Sequence, residues 1–150
     1  MSPEVKGSDD NCRLHVDTYM PAWKVWLYAE DVQDRHGPFT LVPGTHVSSE
    51  AKLRWLYSES NNVAKHGPGS YGSFRMDTSL EDWDALPETS FGMPARRGIT
   101  GGKMSLLIAD TSALHARGLS DPGTVRRTFV LHGDANDGGL PRRNPFSYIK

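Results

Sequence analysis

The sequence of 150 residues predicts a mainly β, antiparallel domain with short helices inserted in its middle. Three observations carry that expectation. Val25, Leu27 and Ala29 alternate with Lys24, Trp26 and Tyr28, the period of a half-buried strand. The short apolar run 104–109 and the segment 125–131 have strand length. Fifteen glycines and ten prolines punctuate the chain, which favours many turns over long helices. A sheet of this kind hides its edges by closing on itself or by packing as a sandwich.

Taken in order, residues 1–11 are polar, lack the apolar stretch of a signal peptide, and are expected to be disordered. Residues 12–150 read as one domain, with no repeat and no long linker. The strand at 24–29 leads into "EDVQDRHGPF", a turn rich in Asp, Gly and Pro. Residues 39–42 then resume as a second strand before "PGTH", so the pair reads as a hairpin with a long loop. Ser48 or Ser49 is placed to cap a helix through about residue 60, with Glu50 in its first turn and Leu53, Leu56 and Tyr57 as its apolar stripe. Residues 61–73 read as loop. Thr78 and Glu81 stand at capping-box spacing for a second short helix that Pro87 ends. After the turn-rich "PARRGITGGK" come the strand 104–109, its extension 112–115, and the last strand 125–131. The tail from 134 is irregular. The segment 48–103 is expected to cover the mouth of the barrel, with Trp55, Tyr57 and Trp83 packing its helices down.

Composition narrows the function classes. A net charge of -1 offers no electrostatic case for nucleic acid or an anionic membrane. No apolar run approaches the ~20 residues that span a bilayer. The single cysteine, Cys12, permits no internal disulfide and suits a reducing compartment, so a cytoplasmic location is expected.

The chemistry starts at "LHVDT". His15 and Asp17 lie two apart on an extended segment and point to one side, as two ligands of one metal must. The pair alone is weak, because six histidines and twelve aspartates give roughly even odds of an HxD by chance. A third ligand decides the matter. His36 lies in a turn and His66 in a Gly-rich loop; His46 follows a turn and His132 ends a strand. His115 follows the strand "SLLIADTSAL", and Arg126 comes eleven residues later. Two His and one carboxylate on one face of an iron leave its other positions open. An arginine on a neighbouring strand can bind a cosubstrate carboxylate through two hydrogen bonds. The candidate set is therefore His15, Asp17, His115 and Arg126.

The stretches "LHVD", "WLYAEDVQDRHGPFTLVPGTH", "LIADTSALHARG" and "RRTFVL" resemble the phytanoyl-CoA dioxygenase family of Fe(II)/2-oxoglutarate oxygenases. The likeness runs from about Arg13 to the closing "RRNPF", nearly the whole chain. It resembles a subgroup with that same ending rather than the enzyme acting on phytanoyl-CoA. The resemblance implies a double-stranded β-helix (jelly-roll, cupin-like) core, with His15, Asp17 and His115 as iron ligands. It makes Arg126 the partner of the distal 2-oxoglutarate carboxylate and Trp26 a wall of the cosubstrate site. It further implies O2 as a reactant, a small organic substrate, and decarboxylation of 2-oxoglutarate to succinate coupled to hydroxylation. No catalytic residue is expected beyond the metal ligands, since the cofactor carries the hard chemistry. Arg127 competes with Arg126, because neighbouring strand residues face opposite ways. Family members carry a long region before the HxD, whereas 14 residues precede His15 here, so an incomplete barrel with an open edge is expected. Two other classes stay in view: a cupin-like metal protein without redox turnover, and an inactive fragment pairing through that edge. A pure binder has no need of Arg126.

Overall fold

Side-chain alternation along the strands decides the layering of this protein. The computed structural model describes residues 10–17, 22–66, 74–79 and 92–134. A 3-10 turn at Asp10–Cys12 leads into β1 (Arg13–Val16), followed by β2 (Ala22–Tyr28) and β3 (Phe39–Leu41). Helix α1 (Glu50–His66) and β4 (Phe74–Ser79) come next. The remaining strands are β5 (Arg97–Ile99), β6 (Leu106–Asp110), β7 (His115–Arg117) and β8 (Thr128–Asp134). They form a five-stranded sheet, β4-β1-β7-β3-β5, and a three-stranded sheet, β6-β2-β8. Every strand pairing between these elements is antiparallel.

Two cores follow from the alternation. Leu14 and Val16 of β1 and Leu114 and Ala116 around β7 face outward from the larger sheet, where they bury Val42, Met93 and Trp55 of α1. The residues between them, His15 and His115, necessarily face the other way, toward the smaller sheet. There Trp26 and Tyr28 of β2 meet Val32 and Phe39, with Leu41, Ile99, Leu107 and Ala109 packed around them. The order across the molecule is helix, large sheet, inner layer, small sheet.

Helix α1 begins where expected. The Ser49 hydroxyl accepts a hydrogen bond from the Lys52 backbone N–H at 3.2 Å, a helix cap. The apolar stripe differs from the sequence expectation: Leu53 and Tyr57 are exposed, and the buried side is Lys52 and Trp55, flanked by Ala51 and Leu56. The indole decides the rotation. Trp55 is fully buried although its Nε1 finds no hydrogen-bond partner among the described residues. An unsatisfied donor costs about 1–3 kcal/mol, whereas a buried Trp side chain is worth about 3–5 kcal/mol. Packing wins.

Several expectations need correction. β2 and β3 are not a hairpin: β2 pairs with β6 and β8, and β3 pairs with β5 and β7 in the other sheet. The apolar and polar alternation is the same whichever partner a strand finds, so periodicity could not separate these cases. Residues 112–115 do not extend β6, because a turn at 111–113 carries the chain from the small sheet into the large one. The helix runs to His66, past the expected end near residue 60, and Thr78 lies in strand β4 rather than capping a helix. The body of that second helix, with Trp83, falls outside the described residues, as do 1–9 and the tail. Of the inserted segment, α1 covers the back of the large sheet and not the mouth of the site, because Trp55 packs on Leu14 and Leu114.

One loop approach requires glycine. Gly37 has φ 63°, and a Cβ there would lie 2.6 Å from the Gly118 carbonyl oxygen. Gly118 N–H in turn donates to the Pro38 carbonyl at 2.7 Å, which ties the "HGPF" turn to the end of β7.

The outer face of the small sheet is apolar. Trp23, Leu106, Ile108, Phe129 and Leu131 are exposed there, at 48% for Trp23 and between 61% and 66% for the others. In register, Val25 lies between Ile108 and Leu131, and Leu27 between Leu106 and Phe129. None of the helices described is long and apolar enough to cross a membrane.

Candidate metal centre

His15 and His115 are directly opposite one another on the antiparallel strands β1 and β7. This register is what unites residues a hundred positions apart. Cross-strand partners share a face with Cβ atoms about 5 Å apart, and the two imidazole centroids are 4.5 Å apart. The pairing of β1 with β4 shifts register between Arg13 and His15, an irregularity of the kind that re-aims side chains next to functional sites.

Each ring is oriented by its own strand. His15 Nδ1 lies 2.7 Å from the Arg13 carbonyl and His115 Nδ1 lies 2.9 Å from the Ala113 carbonyl. A carbonyl only accepts, so both Nδ1 atoms carry the proton and donate. In a neutral ring the lone pair is then on Nε2, the tautomer suited to metal ligation. Both Nε2 atoms approach Asp17: His15 Nε2 is 3.8 Å from Oδ1 and His115 Nε2 is 3.6 Å from Oδ2. The three possible ligand atoms all lie within 4.8 Å of one another.

These separations are close to those around a metal ion. Ligand atoms about 2.1 Å from a common centre stand about 3 Å apart when adjacent in an octahedron. The observed 3.6 and 3.8 Å run to different Asp17 oxygens, and with ligand atoms up to 4.8 Å apart the side chains have to draw in around an ion. Both histidines are buried, and two imidazoles with one carboxylate are the donors that divalent transition metals take. His15, Asp17 and His115 are thus close enough to hold a metal ion.

Asp17 stands just past β1 and is braced by Thr111 and Lys24. Its backbone N–H donates to the Thr111 carbonyl at 3.1 Å. Lys24 Nζ sits 2.6 Å from Oδ2. Burial by itself raises the carboxyl pKa, but the Lys24 hydrogen bond, the His115 and Lys24 charges and a Thr111 hydrogen bond together hold it below its ordinary value.

The inward face of β2 extends the site. Lys24, Trp26 and Tyr28 share one face at two-residue steps of about 6.6 Å. Lys24 reaches Asp17; Trp26 packs on Phe39 at 4.4 Å; Phe39 stacks on His115 at 5.5 Å. Trp26 is therefore one ring removed from a candidate ligand. Tyr28 donates to the Ile99 carbonyl at 2.8 Å, and its pKa is raised by burial against the lowering effect of a Phe39 backbone contact and the Arg126 charge.

The two arginines separate as neighbouring residues on an extended chain should. Arg126 is half-buried, donates to the Gly37 carbonyl and places its charge near Tyr28. Arg127 turns outward, where its guanidinium pairs with Glu30 at 2.9 Å and is 70% exposed. Of the other histidines, His46 is exposed, and the His36 ring accepts from the Gln33 N–H at 3.0 Å. Neither joins the cluster. Lys24 is the residue that sequence reasoning placed on the right face without a role; its position opposite the HxD needed the sheet-to-sheet contact.

No known protein family, curated protein or solved structure matches this chain.

Proposed function

We propose that this protein is an Fe(II)- and 2-oxoglutarate-dependent oxygenase that hydroxylates a small organic substrate, with the double-stranded β-helix core of the phytanoyl-CoA dioxygenase-like enzymes it resembles. The observation that carries this reading is the cross-strand pair His15 and His115 with Asp17 between their Nε2 atoms. Two imidazoles and one carboxylate would hold iron while leaving room on it for a cosubstrate and O2. The chain path supports the jelly-roll reading, since successive strands β5, β6, β7 and β8 alternate between the two sheets.

When bound, Fe(II) with 2-oxoglutarate supplies the oxidising power, and the protein residues position and shield. His15, Asp17 and His115 would hold the ion. Arg126, held against the Gly37 carbonyl, offers its guanidinium to the distal carboxylate, where a planar fork binds more selectively than a lysine. Trp26 and Phe39 wall the inner layer with apolar surface, and exclusion of water there strengthens every charge interaction in the site.

The experiment is direct. Purified protein is incubated with Fe(II) and 2-oxoglutarate without oxygen, O2 is admitted, and succinate is followed beside a His15→Ala control. Succinate from the wild type alone supports the oxygenase. Tight Fe(II) binding without succinate leaves a metal-binding protein that lacks this turnover. The absence of both metal binding and succinate refutes the centre.

A further inference from the structure

Lys24 has no place in the ligand set, yet it makes a short charged contact to it. Its Nζ lies 2.6 Å from Asp17 Oδ2, the oxygen that also faces His115 Nε2 at 3.6 Å. The pair is not a loose surface contact: the Lys24 and Asp17 side chains are 21% and 26% exposed. The two partners come from opposite sheets, Asp17 from the end of β1 and Lys24 from β2. Asp17 is also pinned through its N–H to Thr111, and Thr111 N–H donates to the Ala22 carbonyl at 2.7 Å, two residues before Lys24. The lysine and the carboxylate are therefore delivered to one another by a continuous hydrogen-bonded frame.

A partly buried carboxylate is costly unless a cation stands beside it. We infer that Lys24 is a positioning residue for the proposed metal centre: its ammonium is the stand-in cation that keeps Asp17 in place before a metal binds, and it retains Oδ2 afterwards so that Asp17 ligates through Oδ1 alone. This role rests on the metal reading above. Single-oxygen ligation matters because a carboxylate that chelates with both oxygens takes a position otherwise open to a cosubstrate. Oδ1 is turned to His15 at 3.8 Å, whereas Oδ2, which faces His115 at 3.6 Å, is already held by the ammonium at 2.6 Å. Outer partners orient ligating carboxylates, and a cationic one also repels the ion and competes with it for the oxygen it holds.

The test uses Co(II) as the probe, with three readouts besides activity: thermal stability, affinity by titration, and visible absorption, which reports coordination number. Lys24→Met is compared with wild type, Lys24→Arg and His15→Ala. The metal-free Lys24→Met protein is expected to melt lower than wild type, and Co(II) is expected to raise its melting temperature further than it raises that of the wild type. Its Co(II) affinity is expected to tighten about tenfold or more, since no neighbouring ammonium repels the ion or competes for the carboxylate. Its absorption spectrum is expected to shift as Asp17 closes onto the metal with both oxygens, whereas Lys24→Arg keeps the wild-type spectrum. Lys24→Gln, which retains a donor but no charge, takes the place of the Met variant if that protein does not fold. An unchanged spectrum or a weakened affinity in the charge-free variant overturns the role of Lys24 while leaving the centre standing. Wild type that binds no more Co(II) than His15→Ala overturns the centre itself and this role with it.

Discussion

His15 and His115 occupy the same rung of the β1–β7 ladder. Their rings are 4.5 Å apart and tilted by 49°, each tethered by Nδ1 to the carbonyl two residues before it. That shared tether pattern means the two rings are set by backbone geometry and do not wait for a metal to orient them.

Single substitutions His15→Ala and His115→Ala should each remove metal binding while leaving a cooperative fold. A ligand that binds only the native state at a hundred times its Kd stabilises by about 2.7 kcal/mol. The expected readout is a metal-induced rise in melting temperature for wild type and none for either variant.

Arg126 and Arg127 should part company in the same assay. Arg126→Leu is expected to weaken 2-oxoglutarate dependence at least tenfold, and Arg126→Lys to restore it only partly, because an ammonium lacks the two-pronged fork. Arg127→Ala removes an exposed pair with Glu30, a type of contact worth about 0–1 kcal/mol, and should leave succinate formation unchanged. Equal effects from both would contradict the inward placement of Arg126.

Burial orders the helix substitutions against hydropathy. Trp55→Ala opens the core beneath α1 and is expected to cost about 3–5 kcal/mol in denaturant melts. Tyr57→Ala, on a side chain that is largely exposed, should fall within about 0.5 kcal/mol of wild type. The two aromatic residues are two positions apart and look alike in sequence.

Lys52 gives stability a pH signature. Its side chain is buried with Nζ donating to the Ser112 carbonyl at 2.8 Å. Burial lowers its pKa below 10.5, and the nearby Asp110 charge only partly opposes this. Between that lowered value and 10.5 the unfolded chain holds the proton and the folded chain does not, so stability rises with pH across the interval. Urea titrations at stepped pH below 10 should show this rise in wild type, and Lys52→Met should flatten it. A slope identical in both would sink the attribution to Lys52.

The exposed apolar face of β6, β2 and β8 should bind a hydrophobic dye. Ile108→Lys combined with Leu131→Lys places two charges beside Val25 in the middle of that face. The double variant is expected to lose most of the dye fluorescence and to gain solubility. Metal binding should be unaffected, because both residues point away from His15 and Asp17.

How much of this was legible in the chain depends on the range of the interaction. The β2 face was readable, since Lys24, Trp26 and Tyr28 follow from period-two alternation, and all three do point to one side. The Ser49 cap was readable as one of two neighbouring serines. Strand β4 was missed although "FRMDTS" alternates apolar and polar residues; a capping-box signal at Thr78 outweighed it. The rotation of α1 was misjudged because Leu53, Leu56 and Tyr57 make as regular a stripe as Lys52, Trp55 and Leu56. Only the cavity over Leu14 and Leu114, which takes an indole, distinguishes the two.

For the site, the sequence alone determined the donor types and the local pair, since His15 and Asp17 share a face by the geometry of an extended chain. The need for a third ligand singled out His115 and, eleven residues on, Arg126, and the expected family likeness added Trp26. What only the tertiary structure decided was the rung that sets His115 opposite His15, the outward turn of Arg127, and the contact of Lys24 with Asp17. Each of these depends on strand order and on the packing of one sheet over another. Alternation records which face a residue occupies; it carries no record of which strand will lie beside it.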